Sequence, residues 1–231
     1  MKKGFSIILM LFMLLSVPAL AFADSEITVT GTGEVLVPAD AAIVSLGVSA
    51  ADREVLTAQA KVNTVIASVR EALISFGIRE EDINTDYINI YAQYDYSGDV
   101  EQIKGYKANS TLAIRVTDIE KAGDVIDTAF GAGANTLNGI SFYATDTKAA
   151  QEKAMRAAVD DARAKAEILA DAAGLQIRGV EDIVEQGSYS YDRGVNTFKA
   201  AAEDTVGGTF VQSAKLSVSY SVSVTYSVDR K

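Results

Sequence analysis

Residues 106–144 read YKANSTLAIRVTDIEKAGDVIDTAFGAGANTLNGISFYA, and this stretch decides the fold. Its first part alternates between apolar and polar side chains around Leu112, which is the pattern of a strand with one buried face. Apolar residues then recur at intervals of three and four over 119–130, which predicts a helix with Asp118 as its N-cap. The apolar residues of 138–144 predict a second strand. The stretch is therefore a strand, a helix and a strand in succession.

The preceding residues complete a larger unit. Residues 41–49 predict a strand, and the apolar residues of 55–76 lie on one stripe of a helix that Gly77 ends. The alternating residues 85–96 predict another strand, which should form a hairpin with the strand around Leu112. The run 41–145 thus has the order β-α-β-β-α-β of a ferredoxin-like unit, with an antiparallel sheet and two helices on one face.

A long alanine-rich helix is predicted over 147–173, with Gly174 as its C-terminal stop. Small side chains on one stripe would let this helix lie close to the element that it covers. We expect that stripe to consist of Ala150, Ala154, Ala158, Ala162, Leu169 and Ala173.

Further strands are predicted over 27–37 and 176–185, and the glycine-rich segment 187–208 predicts a long loop. The strand 216–228 is the most regular of all, because serine or threonine occupies every second position. One of its faces should be buried and the other solvated. The expected fold is α+β, with a ferredoxin-like core, an added long helix and C-terminal antiparallel strands.

The N-terminal residues 1–23 have the features of a secretory signal peptide. Lys2 and Lys3 precede an apolar run, and the small residues Ala21 and Ala23 suit a signal peptidase, so cleavage is predicted after Ala23. No later stretch has the length and apolarity of a membrane-spanning helix. The sequence therefore predicts a periplasmic or secreted protein that consists of one domain, residues 24–231.

The residue inventory excludes several function classes. The 231 residues contain no histidine and no cysteine, so Ser-His-Asp triads, thiol nucleophiles and zinc fingers are excluded. The formal net charge is −10, and loss of Lys2 and Lys3 with the signal peptide would make it −12. Such a charge, with basic residues dispersed among acids, disfavours nucleic acid as a partner. We expect no catalytic residues, no cofactor, no metal and no enzymatic activity.

Two motifs have a structural interpretation beside a functional one. Gly31-Thr32-Gly33 begins like a dinucleotide fingerprint, but Leu36 stands where the third glycine should be and no helix follows. Residues 131–135, GAGAN, would suit a phosphate nest, yet they follow a predicted helix where a phosphate site precedes one. For the second motif a helix stop is the favoured interpretation.

Acidic clusters offer further candidates. The carboxylates around Gly98 could share a hard cation, although the oxygen ladder of an EF-hand is missing. Adjacent acids elsewhere could act as acid–base pairs, but such residues are usually solvated. The members of these clusters are Asp95, Asp99 and Glu101 for the cation, and Glu80, Glu81, Asp82, Asp160 and Asp161 for the acid–base pairs.

Tyrosines are enriched around the predicted hairpin. Strand packing explains this enrichment, and a stacking surface for a ligand or a second subunit is the alternative. The candidate binding surface consists of Tyr87, Tyr91, Tyr94, Tyr96 and Tyr106.

Several segments resemble the SIMPL-domain family in order and spacing. They are ITVTGTGEVLVPADAAIVSLGV, GIREEDINTDYINIYAQYDY, the segment from IKGYKANST to NGISF, and the helix ARAKAEILADAAG with the closing serine-rich strand. Bacterial members of that family are exported and are described as periplasmic immunogenic or oxidative-stress defence proteins. The resemblance implies an α+β domain that tends to form ring-like homo-oligomers. It implies no established catalytic residue.

Two functions are therefore expected. The first is a self-assembling, non-enzymatic protein of the periplasm or envelope that has a structural or stress-tolerance role, with any envelope protein partner unidentified. The second is a periplasmic module that binds a ligand or a protein through the tyrosine-bearing strand face and the 187–208 loop. Oligomeric mass and ligand-induced stabilisation would discriminate the two.

Overall fold

The computed structural model describes residues 25–97, 101–186, 190–192, 208–213 and 215–231. These residues form two antiparallel sheets and three helices, which confirms the mixed α and β class. The strands are β1 (Ser25–Pro38), β2 (Ala41–Asp52), β3 (Ile83–Asp95), β4 (Gln102–Val116), β5 (Thr136–Tyr143), β6 (Leu175–Glu185), β7 (Ser190–Asp192) and β8 (Lys215–Arg230), and the helices are α1 (Val55–Phe76), α2 (Ala122–Gly131) and α3 (Lys148–Ala172).

The first sheet has the strand order β3-β4-β2-β5, and each neighbouring pair is antiparallel. The predicted hairpin is confirmed as β3 and β4. Apolar side chains of alternate positions, such as Leu46 and Leu112, form one core with Leu73 of α1 and Ile126 of α2. Both helices therefore cover the same face of this sheet, and the opposite face has no helix on it among the described residues.

The C-terminal end of α1 matches the sequence prediction, whereas the N-terminal end of α2 does not. Gly77 ends α1 as predicted, since its φ of 111° is a left-handed conformation that favours glycine. The prediction that Asp118 caps the second helix is wrong. A 3-10 turn over Ile119–Lys121 precedes α2, and the Asp118 carboxylate instead pairs with the Lys121 Nζ atom at 3.0 Å.

The second sheet contains β1, β8 and β6 in that order, and β7 pairs with β8 on the same side as β6. The strands β1 and β2 follow each other in the chain but belong to different sheets. The predicted alternation of β8 is confirmed, because Val218 and Val224 are buried while the serines between them are partly exposed.

Helix α3 lies on the buried face of the second sheet through a line of alanines. A Cβ atom on Gly31 would lie 2.7 Å from the Cβ atom of Ala162, and one on Gly33 would lie 2.9 Å from the Cβ atom of Ala157. Only glycine permits this close approach, so the Gly31-Thr32-Gly33 motif is a site of helix packing.

The alanine line differs from the prediction at its C-terminal end. The buried residues are Ala150, Ala154, Ala158, Ala162, Ala166 and Ala170. Leu169, predicted on this line, is 50% exposed, and Ala173 lies beyond the end of the helix. A step of four residues advances a helix by about 40° more than one full turn, so the contact line winds around α3. Such winding suits a twisted sheet.

A short segment, residues 208–213, connects the two halves of the fold, and we refer to it as the strap. Thr209 donates to Asp127 of α2 twice, from its backbone N–H at 3.0 Å and from its hydroxyl at 2.6 Å. These bonds hold the pKa of Asp127 below its usual value. Val211 packs against the core of the first sheet, and the chain then enters β8 of the second sheet. The strap thereby ties the second sheet to α2.

Candidate functional site

The face of the first sheet that α1 and α2 do not cover carries two of the predicted tyrosines. In the β3–β4 ladder, Tyr87 pairs with Thr111 and Tyr91 pairs with Lys107. Residues directly opposite each other share a face. Their neighbours at alternate positions, such as Ala108, pack against α1, so the tyrosines face the other way. We call this surface, formed by Tyr87, Asn89, Tyr91, Gln93, Lys107, Asn109 and Thr111, the tyrosine face.

The five predicted tyrosines do not share one surface. Tyr106 pairs with Ala92 and, by alternation from Ala108, lies on the side that bears the helices. Tyr94 and Tyr96 lie at the far end of the hairpin, where their ring centroids are 6.3 Å apart. The structure thus brings Tyr87 and Tyr91 together on the tyrosine face, and it pairs Tyr94 with Tyr96 elsewhere.

A bulge fixes which side chains reach the tyrosine face. The register of β3 shifts between Thr85 and Tyr87, so Asp86 is an extra residue without a direct partner on β4. After this shift, Tyr87 and Tyr91 are 55% and 44% exposed. Half-exposed tyrosine rings on a sheet present a flat apolar surface beside a polar hydroxyl group. Tyrosine is enriched at binding interfaces for this reason.

The acidic cluster Glu80–Asp82 contains a buried clamp. Asp82 is only 4% exposed, and its carboxylate accepts bonds from Arg115 Nε at 2.6 Å and Arg79 Nε at 2.7 Å. Burial raises the pKa of Asp82, but the bonds from Arg115 and Arg79 outweigh this effect and hold the pKa below its usual value. The cluster thus fastens a 3-10 turn to β4, and its acids do not form a carboxylate pair facing a cleft.

Asp161 is likewise a structural anchor. Its Oδ2 atom accepts the backbone N–H of Thr32 at 2.8 Å and the Nζ atom of Lys165 at 2.7 Å. The Lys165 ammonium, followed by the Thr32 N–H, holds the pKa of Asp161 below its usual value. Lys165 also donates to the carbonyl of Thr30 at 3.0 Å. Side chains of α3 therefore occupy backbone groups on the outer edge of β1, a role that sequence patterns gave no sign of.

The acidic residues around Gly98 and the GAGAN segment 131–135 are the two remaining sequence candidates, and described members of both make hydrogen bonds within the chain. Asp95 accepts the backbone N–H of Ser97 at 2.9 Å, whereas Gly98 and Asp99 lie outside the described residues. Within the described ranges, histidine, cysteine and carboxylate side chains do not gather in threes that could hold a metal ion. In the GAGAN segment, Asn135 donates to and accepts from the backbone of Ser49 at 2.8 Å, which fixes the turn after α2.

Only a small part of the 187–208 segment belongs to the described residues. Apart from β7 and Gly208, the segment lies outside the described residues. Of the helices in the described part of the chain, none combines the length and the apolarity that a bilayer crossing requires.

Fold and surface together define a two-sheet α+β protein in which one face of the first sheet carries exposed tyrosines and has no helix on it among the described residues. The chain belongs to the SIMPL family, described as a protein of unknown function (DUF541), whose model matches residues 27–226. This match confirms the resemblance that the sequence motifs indicated.

Similar proteins come from several bacteria. The 26 kDa periplasmic immunogenic protein of Brucella melitensis is 32% identical over 169 residues, which cover 70% of this chain and 66% of that protein. The uncharacterized protein YggE of Escherichia coli K12 is 27% identical over 146 residues, which cover 63% of this chain and 59% of that protein. The matched region therefore covers less than two thirds of the length of each of these relatives.

Proposed function

We propose that this chain is an exported, self-assembling protein of the periplasm or envelope that has a non-enzymatic structural or stress-tolerance role. The observation that carries the proposal is the outer edge of β6. Strand β6 pairs with β8 on one side, and no strand of the described residues pairs with its other side. Ile183 and Val184, near the end of β6, are 52% and 50% exposed. These two apolar residues lie between Asp182 and Glu185, and a strand edge without a partner is a template for pairing with another chain.

The two edge strands of the second sheet, β1 and β6, differ in whether side chains cover their outward backbone groups. On β1, Asp161 and Lys165 occupy outward backbone groups of Thr32 and Thr30. On β6, bulges interrupt the ladder on either side of Val180, but residues 182–185 pair regularly with β8. The stretch 182–185 is therefore the part of β6 that suits pairing between copies of this chain.

Light scattering of the purified, processed protein over a dilution series tests this proposal. We expect a species larger than a monomer, and we expect Val184→Lys to reduce its mass, because a lysine on an edge strand opposes pairing. Ile168→Lys is the matched control, since Ile168 is an exposed apolar residue of helix α3 and not of an edge strand. A monomer at micromolar concentration, or equal masses for the two variants, would contradict the proposal.

Several observations support the other parts of this proposal. The named periplasmic location of the Brucella protein and the features of residues 1–23 support export with cleavage after Ala23, which mass spectrometry of the processed chain would check. The extent of the family match supports residues 24–231 as one domain. The strand order of the first sheet and its two helices support a ferredoxin-like assignment for β2 to β5.

A second candidate function is a binding module of the periplasm. The tyrosine face favours it, because Tyr87 and Tyr91 are exposed on a sheet surface that no helix of the described residues covers. A thermal-shift screen tests it in general form, since a ligand at 100 times its dissociation constant adds about 2.7 kcal/mol to the free energy of unfolding.

A further inference from the structure

We propose that the tyrosine face binds a glycan strand of the cell envelope. The inference rests on the second candidate function and names its ligand class. It does not depend on self-assembly, which the light-scattering experiment tests separately.

The first argument is the placement of the two rings. Tyr87 and Tyr91 are four residues apart on β3 with no register shift between them, so their Cα atoms are about 13 Å apart along the strand. Both rings are about half exposed on an open sheet face. This geometry offers two stacking platforms along one line, which suits an extended polymer better than a compact small molecule. Small molecules prefer concave sites.

The second argument is the pair of amides between the rings. Asn89 and Asn109 lie directly opposite each other in the β3–β4 ladder. Both are partly exposed, and no hydrogen bond of either side chain occurs among the described residues. Each amide offers two donor hydrogens and an acceptor oxygen. Neutral amides beside an aromatic ring complement the alternating hydroxyl groups and C–H faces of a sugar.

The third argument is charge. The chain has 31 acidic residues, yet the paired positions of the tyrosine face carry no carboxylate, and Lys107 is its one cation. Two acids of β3 stand at its ends: Asp86 lies in the bulge beside Tyr87, and Asp95 lies two residues beyond Gln93. An acid-free face in a protein of net charge −10 complements a neutral or weakly anionic polymer.

The same features disfavour the other occupants. A nucleic acid requires a basic groove beside its stacking platforms, and one lysine does not provide it. The core of a permanent protein interface is largely apolar, whereas the amides of Asn89 and Asn109 lie between these two rings. A second copy of this chain therefore fits this face less well than a glycan does.

Co-sedimentation with purified peptidoglycan sacculi, which are insoluble networks of glycan strands cross-linked by short peptides, tests the proposal on the processed full chain. We expect the wild type to sediment with sacculi and the double variant Tyr87→Ala/Tyr91→Ala to bind at least roughly tenfold more weakly, because both platforms are lost. The double variant Tyr87→Phe/Tyr91→Phe should retain binding, since it keeps the rings. Tyr94→Ala/Tyr96→Ala is the matched control, because it removes two exposed tyrosines that lie off the face.

A soluble probe completes the test. The chain contains no tryptophan, so its intrinsic fluorescence comes from tyrosine, and titration with chitotetraose should change the emission of the wild type and of the control but not of Tyr87→Ala/Tyr91→Ala. Far-ultraviolet circular dichroism verifies that each variant is folded. The proposal is overturned if the wild type does not bind sacculi, or if both alanine pairs weaken binding equally. It is also overturned if the Tyr87/Tyr91 pair changes only the oligomeric mass, which would assign the face to a second copy.

Discussion

Replacement of Gly31 by alanine tests the close approach of α3 to the second sheet. The new Cβ atom would lie 2.6 Å from the Ala162 backbone nitrogen and 2.7 Å from the Ala162 Cβ atom, and nearer still to the Ala158 carbonyl oxygen. Non-bonded carbon atoms rest at about 3.5 Å or more, so α3 has to move outward by roughly 1 Å. The Thr32 N–H bond to Asp161, now 2.8 Å, would then exceed the about 3.2 Å limit of such bonds.

The magnitude follows from two opposing effects. Insertion of a methyl group into a full contact costs about 1–3 kcal/mol. Alanine restricts the unfolded chain more than glycine does, which returns about 0.4–1 kcal/mol. The free energy of unfolding should therefore fall by about 1–2 kcal/mol, which lowers the Tm of a chain of this size by about 2–8 °C.

Urea unfolding followed by circular dichroism measures this change, with all variants at one protein concentration because assembly shifts apparent stability. Gly179→Ala in β6 is the matched control. A Cβ atom there meets nothing within 4 Å, so its stability should equal or slightly exceed that of the wild type. If Gly31→Ala unfolds at the same urea concentration as Gly179→Ala, the packing argument is refuted.

Three further predictions test the anchors of the fold. Asp82→Asn should lower the free energy of unfolding by about 1–3 kcal/mol, because a charged acceptor for Arg79 and Arg115 is lost. The wild-type Asp82 carboxylate has a lowered folded pKa, so the stability that it contributes is present at neutral pH and is lost as the pH falls below its ordinary value of 3.8. Urea midpoints between pH 7 and pH 3 should accordingly fall less for Asp82→Asn than for the wild type, and equal slopes would contradict this reasoning. Gly123→Ala should displace the strap, because its Cβ atom would collide with the Thr209 carbonyl oxygen, whereas a Cβ atom on Gly131 meets nothing. Limited proteolysis should therefore cleave Gly123→Ala faster than Gly131→Ala, and equal rates would count against the strap contact. Asp161→Ala should uncover the outer edge of β1 and increase turbidity on storage relative to Asp160→Ala, and an unchanged turbidity would show that the edge needs no such protection.

The long helices and strands of this fold were predictable because local sequence specifies them, whereas the three-residue strand β7 lies within the segment 187–208 that was predicted to be a loop. Apolar residues that recur every three or four positions predict α1, and Gly77 ends this helix. The strict alternation of β8 indicates which of its faces is buried. Asp118 shows where local rules fail, since it precedes a 3-10 turn and binds Lys121 instead of a backbone N–H.

Contacts between distant segments were not predictable from sequence. Thr32 and Asp161 are 129 residues apart, and Asp127 and Thr209 are 82 apart, so no local pattern relates them. The tyrosine face was predicted only in part. Composition identified its tyrosines, but pairing across the hairpin and the bulge at Asp86 decide which of them share a surface.

The geometry of the second sheet also limits what an assembly can be. If residues 182–185 of β6 pair with the same stretch of another copy, the contact is self-complementary and closes as a two-fold dimer. Asp161 and Lys165 occupy backbone groups of Thr32 and Thr30 in the middle of β1, which opposes extension of the dimer through the opposite edge of that sheet. A ring-like species therefore requires a second interface, and the outer edges of β3, β5 and β7 are the other strand edges of the described residues. A dimer that Val184→Lys converts to a monomer would assign assembly to β6 alone, whereas a larger species that Val184→Lys reduces to a smaller one would show that a second interface lies away from residues 182–185.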